Sequence, residues 1–316
     1  MANTSAKNYE NKVEKQSIWK KVLSNWQGYL FVLPAVIYML VLIGYPLIYN
    51  LILSFQNVNL AVFNAGGAEF VGWQNYVSLF QQDVFWISLK NTMVYTVGSV
   101  VFQFVLGFLL ALFFSMKFKL ASFLRGVMMV SWLIPLTISA LLFRFMMGAD
   151  GGIVNQFLLS IGLVNQPIEW LTSPDIALWT IILTNIWVGI PFNMLLLSTG
   201  LSSLPEEIYE SASLDGANIF QKFYHLTLPL LKPVILVVMM LGFIYTFKVF
   251  DLVFVMTGGG PINSTEVLST LAYRYSFDDF EFSMGAASAN ILFIILFAIS
   301  LVYLWMINRD NKEAGQ

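Results

Sequence analysis

Six long apolar runs constrain this chain more than any other feature: Tyr29 to Ser54, Asn91 to Ser115, Gly126 to Met147, Ile176 to Gly200, Pro233 to Met256 and Met284 to Ile307. Each exceeds the roughly 20 residues that carry an α-helix across about 30 Å of hydrocarbon. Hydrophobic residues make up 58% of the chain and charged ones only 11%, the balance of a polytopic membrane protein. The expected fold is all-α, with six transmembrane helices.

The charges then orient the spans. Lys7, Lys12, Lys15, Lys20 and Lys21 precede the first run; Lys117, Lys119 and Arg125 follow the second; Lys222 and Lys232 follow the fourth; Arg309 and Lys312 follow the sixth. Twelve of the 16 basic residues fall on one face, which the positive-inside rule makes cytoplasmic. The opposite connections carry Glu69, Asp83, Asp150, Glu169, Asp175, Glu266, Asp278, Asp279 and Glu281. Both termini are therefore expected in the cytoplasm. Residues 1–28 read as an N-terminal tail, 29–308 as the membrane domain and 309–316 as a C-terminal tail. The first run is too long for a secretory signal and no small-residue cleavage pattern closes it, so an uncleaved anchor is expected. Residues 1–20 lack apolar periodicity and read as mobile.

The external connections are short. Asn64-Ala65-Gly66-Gly67 reads as a turn or linker and Val71 to Tyr76 as an interfacial segment. After the fifth run, Thr257-Gly258-Gly259-Gly260-Pro261 must end a helix. Ser264 or Thr265 then offers a cap for a short helix with Leu268, Leu271, Ala272 and Tyr275 on one face.

The longest cytoplasmic connection, within residues 201–229, reads as a two-helix elbow. Ser203-Leu204-Pro205-Glu206 has capping-box spacing, and Glu206, Glu207 and Glu210 suit the positive end of a helix. Gly216 can stop that helix in a left-handed conformation. Asn218 can cap a second short helix, with Ile219, Phe220, Phe223 and Leu226 at helical spacing, until Pro229 and Pro233 redirect the chain. From the residues alone, the elbow is either an amphipathic connector on the membrane surface or a docking surface.

Its spacing decides between them by resemblance. Glu210-Ser211-Ala212, three residues, Gly216, nine residues and Leu226-Thr227-Leu228-Pro229 resemble the coupling motif of binding-protein-dependent ABC importers, with Ser211 for the usual alanine and Leu226 for the usual isoleucine. Leu33-Pro34-Ala35, Tyr45-Pro46, Asn91-Thr92 and Phe250-Asp251 before the triple glycine are similar to the carbohydrate-uptake permeases of the maltose and glycerol-phosphate type. The resemblance implies that the elbow enters a cleft of an ATPase, with Glu210 as anchor, Gly216 as turn, and Ala212, Phe223, Leu228 and Pro229 completing the coupling surface. It further implies a second, homologous permease subunit, two ATP-binding subunits and an extracytoplasmic solute-binding protein, in a bacterial or archaeal plasma membrane. No nucleic acid is implied.

The sequence lacks a G-x-x-x-x-G-K-[ST] loop, so ATP and Mg are expected on the partner ATPases and no cofactor on this chain. Cysteine is absent, which excludes thiol chemistry and cysteine metal sites; no metal site is expected. The single histidine, His225, stands beside no acid cluster and receives no chemistry.

Lys248 and Asp251 are conspicuous because charges at membrane depth face a cavity or a partner. Read as three residues apart on one helical face, they either neutralise each other or serve a solute. Arg144, near a span end, can snorkel. Aromatic rings and amides suit sugars. The matching stretches of maltose-type permeases line the binding cavity, which implies a substrate path of Trp132, Leu136, Asn185, Gly189, Phe247, Lys248 and Asp251. The function implied is an importer subunit for a sugar, oligosaccharide, polyol or sugar phosphate. An importer of amino acids, peptides or metals would share the elbow. A secondary transporter would need coupling residues and internal repeats, and a membrane enzyme a convergent acid, base or metal cluster.

Overall fold

The computed structural model describes residues 26–116 and 118–314. The expectations for the lysines before the first run, for Lys117 and for the N-terminal tail up to residue 25 lie outside them. The chain divides between Ile52 and Leu53, and α1 (Trp26–Leu53) supplies the described part of the first unit.

The second unit opens with β1 (Gln56–Asn57), α2 (Leu60–Ala65), β2 (Glu69–Phe70) and α3 (Gln74–Phe80). The linker and interfacial segment are thus a small folded cap: β1 and β2 pair antiparallel, and Asn59 caps α2 by accepting from the Val62 N–H. Val58 exchanges bonds with Ser283, and the Tyr76 hydroxyl meets Ser54 at 2.8 Å and Asn290 at 3.3 Å. Polar side chains, not apolar area alone, fix this cap on the last helix.

Then come α4 (Asp83–Ser115), α5 (Ala121–Leu133), α6 (Leu136–Met146), α7 (Ile153–Ser160), α8 (Ala177–Ser202), α9 (Glu206–Leu214), α10 (Ile219–Phe247), α11 (Asp251–Met256), α12 (Leu268–Tyr273) and α13 (Phe282–Ala314). Five of the described helices are long and apolar enough to cross a membrane: α1, α4, α8, α10 and α13. A sixth crossing exists only if α5 and α6 are counted together, and they bend by 93°. The unbroken third span expected from the sequence is therefore corrected. Pro135 has no N–H to donate and forces Ile134 into extended backbone at ψ 131°, which ends α5.

The fifth span is corrected too. Its helix ends at Phe247, and Lys248, Val249 and Phe250 separate it from α11. The helix expected after the glycine run forms, but neither Ser264 nor Thr265 caps it: Val267 precedes it, and the Thr270 hydroxyl accepts from the Val267 N–H. Thr265 instead bonds to Thr257 at 2.7 Å and to the Gly260 carbonyl. A π turn, Arg274–Asp278, follows α12. Helix α13 continues to Ala314, through most of the stretch read as a C-terminal tail.

Helices α4 and α8 form the most extensive helix–helix contact among the described residues. A Cβ at Gly107 would lie 2.6 Å from Asn193 Cβ, and one at Gly189 would lie 2.3 Å from Gln103 Cδ. Gln103 donates across the gap to the Asn185 carbonyl at 2.8 Å. Close backbones and interhelical hydrogen bonds are what hold helices together where lipid removes the hydrophobic drive. Gly189→Leu should therefore lower the melting temperature in detergent, since overpacking costs about 1–3 kcal/mol. Adding Gln103→Ala, which vacates the space, should restore part of it. Equal melting of the single variant and the unmodified protein would refute this account of the contact.

Candidate functional site

A cavity of about 360 Å³ opens where the two breaks meet the α4–α8 pair. Trp132 and Leu136 reach it from either side of the α5/α6 bend, Asn185, Gly189, Phe192 and Asn193 from one face of α8, Gln103 from α4, and Tyr245, Lys248, Phe250 and Asp251 from α10 and the break after it. Six of the seven residues singled out in sequence line it: Trp132, Leu136, Asn185, Gly189, Lys248 and Asp251. Phe247 does not. It is 1% exposed and stacks on Phe243 at 5.3 Å, because the helix turn that presents Tyr245 to the cavity carries Phe247 into the packed side.

The cavity wall is a run of rings ending in a cation. Trp132 and Phe192 stack at 5.3 Å with 16° between planes, Tyr245 meets Phe192 edge-on at 6.4 Å, and Lys248 Nζ lies 5.3 Å from the Tyr245 ring centre. Amides face these rings. Asn193 donates to the Gly189 carbonyl at 2.9 Å, and the Asn185 side-chain nitrogen is buried with no partner among the described residues.

Lys248 and Asp251 do not share a helical face, and no ion pair joins them among the described residues. Lys248 stands at the carbonyl end of α10 and Asp251 in the first turn of α11, each at the helix end that favours its charge. Arg144 is likewise no simple snorkel. It donates to the Val255 carbonyl at 2.9 Å, satisfying an otherwise orphaned acceptor near the end of α11.

The elbow departs from expectation at its start. Ser203 forms no capping box with Glu206; its hydroxyl turns back to the Gly200 carbonyl at 2.7 Å, and Pro205 precedes α9. The end follows the sequence: Gly216 has φ +81°, the Ala217 N–H reaches the Ala212 carbonyl, and the Gly216 N–H reaches that of Ser213. Asn218 and Gln221 then form a reciprocal capping box. What they open is not a second short helix but α10 itself, which passes through a π turn at Phe223–Thr227 into the membrane span. The wider turn absorbs Pro229, which stands in the first turn of the α-helical part.

Of the six elbow residues singled out, Phe223 and Leu228 pack inward with Phe108, Met194 and Leu231, and Ala212 is half-buried. Glu210, Gly216 and Pro229 are exposed. Helix α9 is strapped to α10 by Tyr209 on Thr227 at 3.0 Å and by Lys222 on Ser213. Leu214, 91% exposed, Ile219 and Phe220 leave an uncovered apolar rim around the turn. His225 Nδ1 lies 3.0 Å from the Gln221 carbonyl a turn earlier.

Two motifs far apart in sequence meet beyond the cavity. Asn91 donates to the carbonyls of Asn263, Ser264 and Glu266, and Thr92 accepts from the Leu268 N–H, so the start of the second span holds the loop after the triple glycine. Glu266 is buried there with Arg274 at 2.7 Å. Burial raises its carboxyl above the usual range, against the opposing pull of Thr270 and Arg274.

Sequence reasoning missed Gln103, Phe192, Asn193 and Tyr245. A signal was available for one: Asn185, Gly189 and Asn193 recur every four residues and so share a face of α8.

Residues 103–309 match the family described as the binding-protein-dependent transport system inner membrane component. The chain belongs to this family. It is 34% identical over 277 residues, covering 88% of this chain and 92% of the relative, to the trehalose/maltose transport system permease protein MalF of Thermococcus litoralis. It is 31% identical to the sulfoquinovosyl glycerol transport system permease protein SmoG of Agrobacterium fabrum, covering 96% of this chain and 97% of that one. A chain of a bacterial alginate ABC transporter, solved in complex with an alginate pentasaccharide-bound periplasmic protein, superposes with a TM-score of 0.78 at 25% identity, over 94% of this chain and 99% of that one. This inner-membrane component is thus a helical, multi-pass protein whose named relatives are transport permeases.

Proposed function

We propose that this chain is the transmembrane permease subunit of an ATP-driven ABC importer for a sugar, oligosaccharide, or related polyol or sugar phosphate. The observation that carries the reading is the cavity, where stacked Trp132 and Phe192, edge-on Tyr245, amides and two charges with no ion-pair partner among the described residues surround one space. Ring faces take the C–H face of a pyranose, while amides and charges address its hydroxyls. The carbohydrate relatives support the same class over amino acids or peptides.

In this reading the chain carries out no covalent chemistry. A second permease subunit completes the pathway, two ATPases hydrolyse ATP with Mg, and an extracytoplasmic binding protein delivers solute. Both termini and residues 201–229 face the cytoplasm; residues 29–308 form the permease domain between two tails. Glu210, Ala212, Gly216, Phe223, Leu228 and Pro229 couple the ATPase to the bundle. Because α9 is strapped to the continuous α10, a push on the elbow is delivered along α10 to the break at Lys248. Movement there would switch the cavity between faces, an alternating-access coupling of two distant sites.

The test is uptake into liposomes holding the whole complex, with the cognate binding protein outside. Labelled trehalose, maltose, diacetylchitobiose and sulfoquinovosyl glycerol are offered beside amino acids and peptides. ATP-dependent entry of a sugar is expected; entry of an amino acid or peptide with no sugar imported would overturn the substrate class.

A further inference from the structure

We propose that Phe250, Phe254, Tyr273 and Phe277 form a sugar-stacking lane that leads solute from the extracytoplasmic side into the central cavity. The proposal rests on the sugar-importer reading and adds a binding surface outside the cavity described above. Phe250 belongs to the cavity wall. From it the rings continue without a gap: Phe250 to Phe254 at 4.9 Å with 18° between planes, Tyr273 at 5.1 Å from Phe250 and 4.9 Å from Phe254, and Phe277 at 4.9 Å from Tyr273.

Local structure explains the alignment. Phe250 and Phe254 are four residues apart along the start of α11, and Tyr273 and Phe277 are four apart across the end of α12 and its π turn. Each pair therefore shares a face, and Ser269 ties α12 to the break by a hydrogen bond to the Val249 carbonyl.

These rings are not core. None belongs to the buried clusters; Phe254 is 41% exposed, Phe277 is 60% exposed, and Phe250 and Tyr273 are half-buried. Lipid is a poor occupant, because carboxylates flank the rings at both ends: exposed Asp251 at the cavity, and exposed Asp278 and Asp279 after Phe277. Rings between acids match a pyranoside, whose C–H face stacks while its hydroxyls donate outward. Continuity with the cavity selects solute over a protein partner.

The test uses the liposome assay with trehalose, maltose, diacetylchitobiose and sulfoquinovosyl glycerol, and follows the sugar that the unmodified complex imports. Phe254→Ala and Phe277→Ala should each raise the KM for uptake by about three- to tenfold, the range of a lost ring contact. Maximal rate and the amount of assembled complex should hold within about twofold by the same reasoning. Phe254→Tyr should restore the KM and Phe254→Leu should not, since leucine supplies bulk without a ring face. Restoration by leucine would overturn the lane in favour of packing. Loss of the second permease on purification, with unchanged uptake per surviving complex, would overturn it in favour of a subunit interface. If the unmodified complex imports amino acids or peptides and none of the sugars, the sugar reading has failed and the lane falls with it; import of a sugar with unaltered kinetics in the alanine variants sinks the lane alone.

Discussion

Gly216→Val should give a complex that assembles but imports at least about tenfold more slowly, the effect of some 1.4 kcal/mol on a coupling step. Gly216 sits at φ +81° with nothing within 4 Å of where a Cβ would stand, so an added Cβ meets open space and the cost to argue from is conformational. A left-handed backbone costs an L-residue roughly 1–2 kcal/mol, more where the side chain is β-branched. The chain can relieve that strain only by abandoning the two bonds that close α9 onto Ser213 and Ala212, which re-aims α9 relative to the start of α10. The measurement is ATPase stimulation by solute-loaded binding protein, beside uptake: stimulation should vanish while basal hydrolysis remains. Gly216→Asn, which tolerates left-handed backbone, should retain most activity. Full stimulated uptake in the valine variant would show that this turn does not set the coupling geometry.

The joint replacement Lys248→Met with Asp251→Asn should also reduce uptake at least about tenfold, while the complex keeps its melting temperature to within a few degrees. A mutually neutralising pair would predict the opposite, since exchanging both members of a buried ion pair for neutral groups is often harmless. No such pair exists between them: each stands at a helix end and faces the cavity beside Tyr245 and Phe250. Removing both loses the modest helix-end attraction, about 0.3–1 kcal/mol per charge, and the contact of Lys248 with the Tyr245 ring, about 0.5–1 kcal/mol, so folding should survive. The polar contacts available to solute hydroxyls would be lost. Normal KM and maximal rate in this double variant would exclude both residues from the solute path.

The sequence by itself determined what local chemistry controls. Runs of apolar residues specify helices because a backbone in lipid must satisfy its own hydrogen bonds, and their positions follow from composition alone. The turn at Gly216 and the cap at Asn218 were equally legible, since one needs a residue without a Cβ and the other a short side-chain acceptor. Pro135 in the middle of the third run is a local break signal as well, since it lacks an N–H and disfavours helical backbone at the residue before it. Tertiary structure decided the rest. Two results are not written in local sequence: α6 leaves at a 93° bend and is tied to α11 by the Arg144 bond to the Val255 carbonyl, and the fifth helix stops at Phe247 with no proline or glycine at that point. Rotation about α10 turned Tyr245 to the cavity and Phe247 away from it. The approach of α4 to α8 made Gln103 and Asn193 part of the same wall, and Asn91 met a loop more than 170 residues distant. Local propensity says that a helix forms; the direction of its axis and the rotation about it are set only by what it packs against.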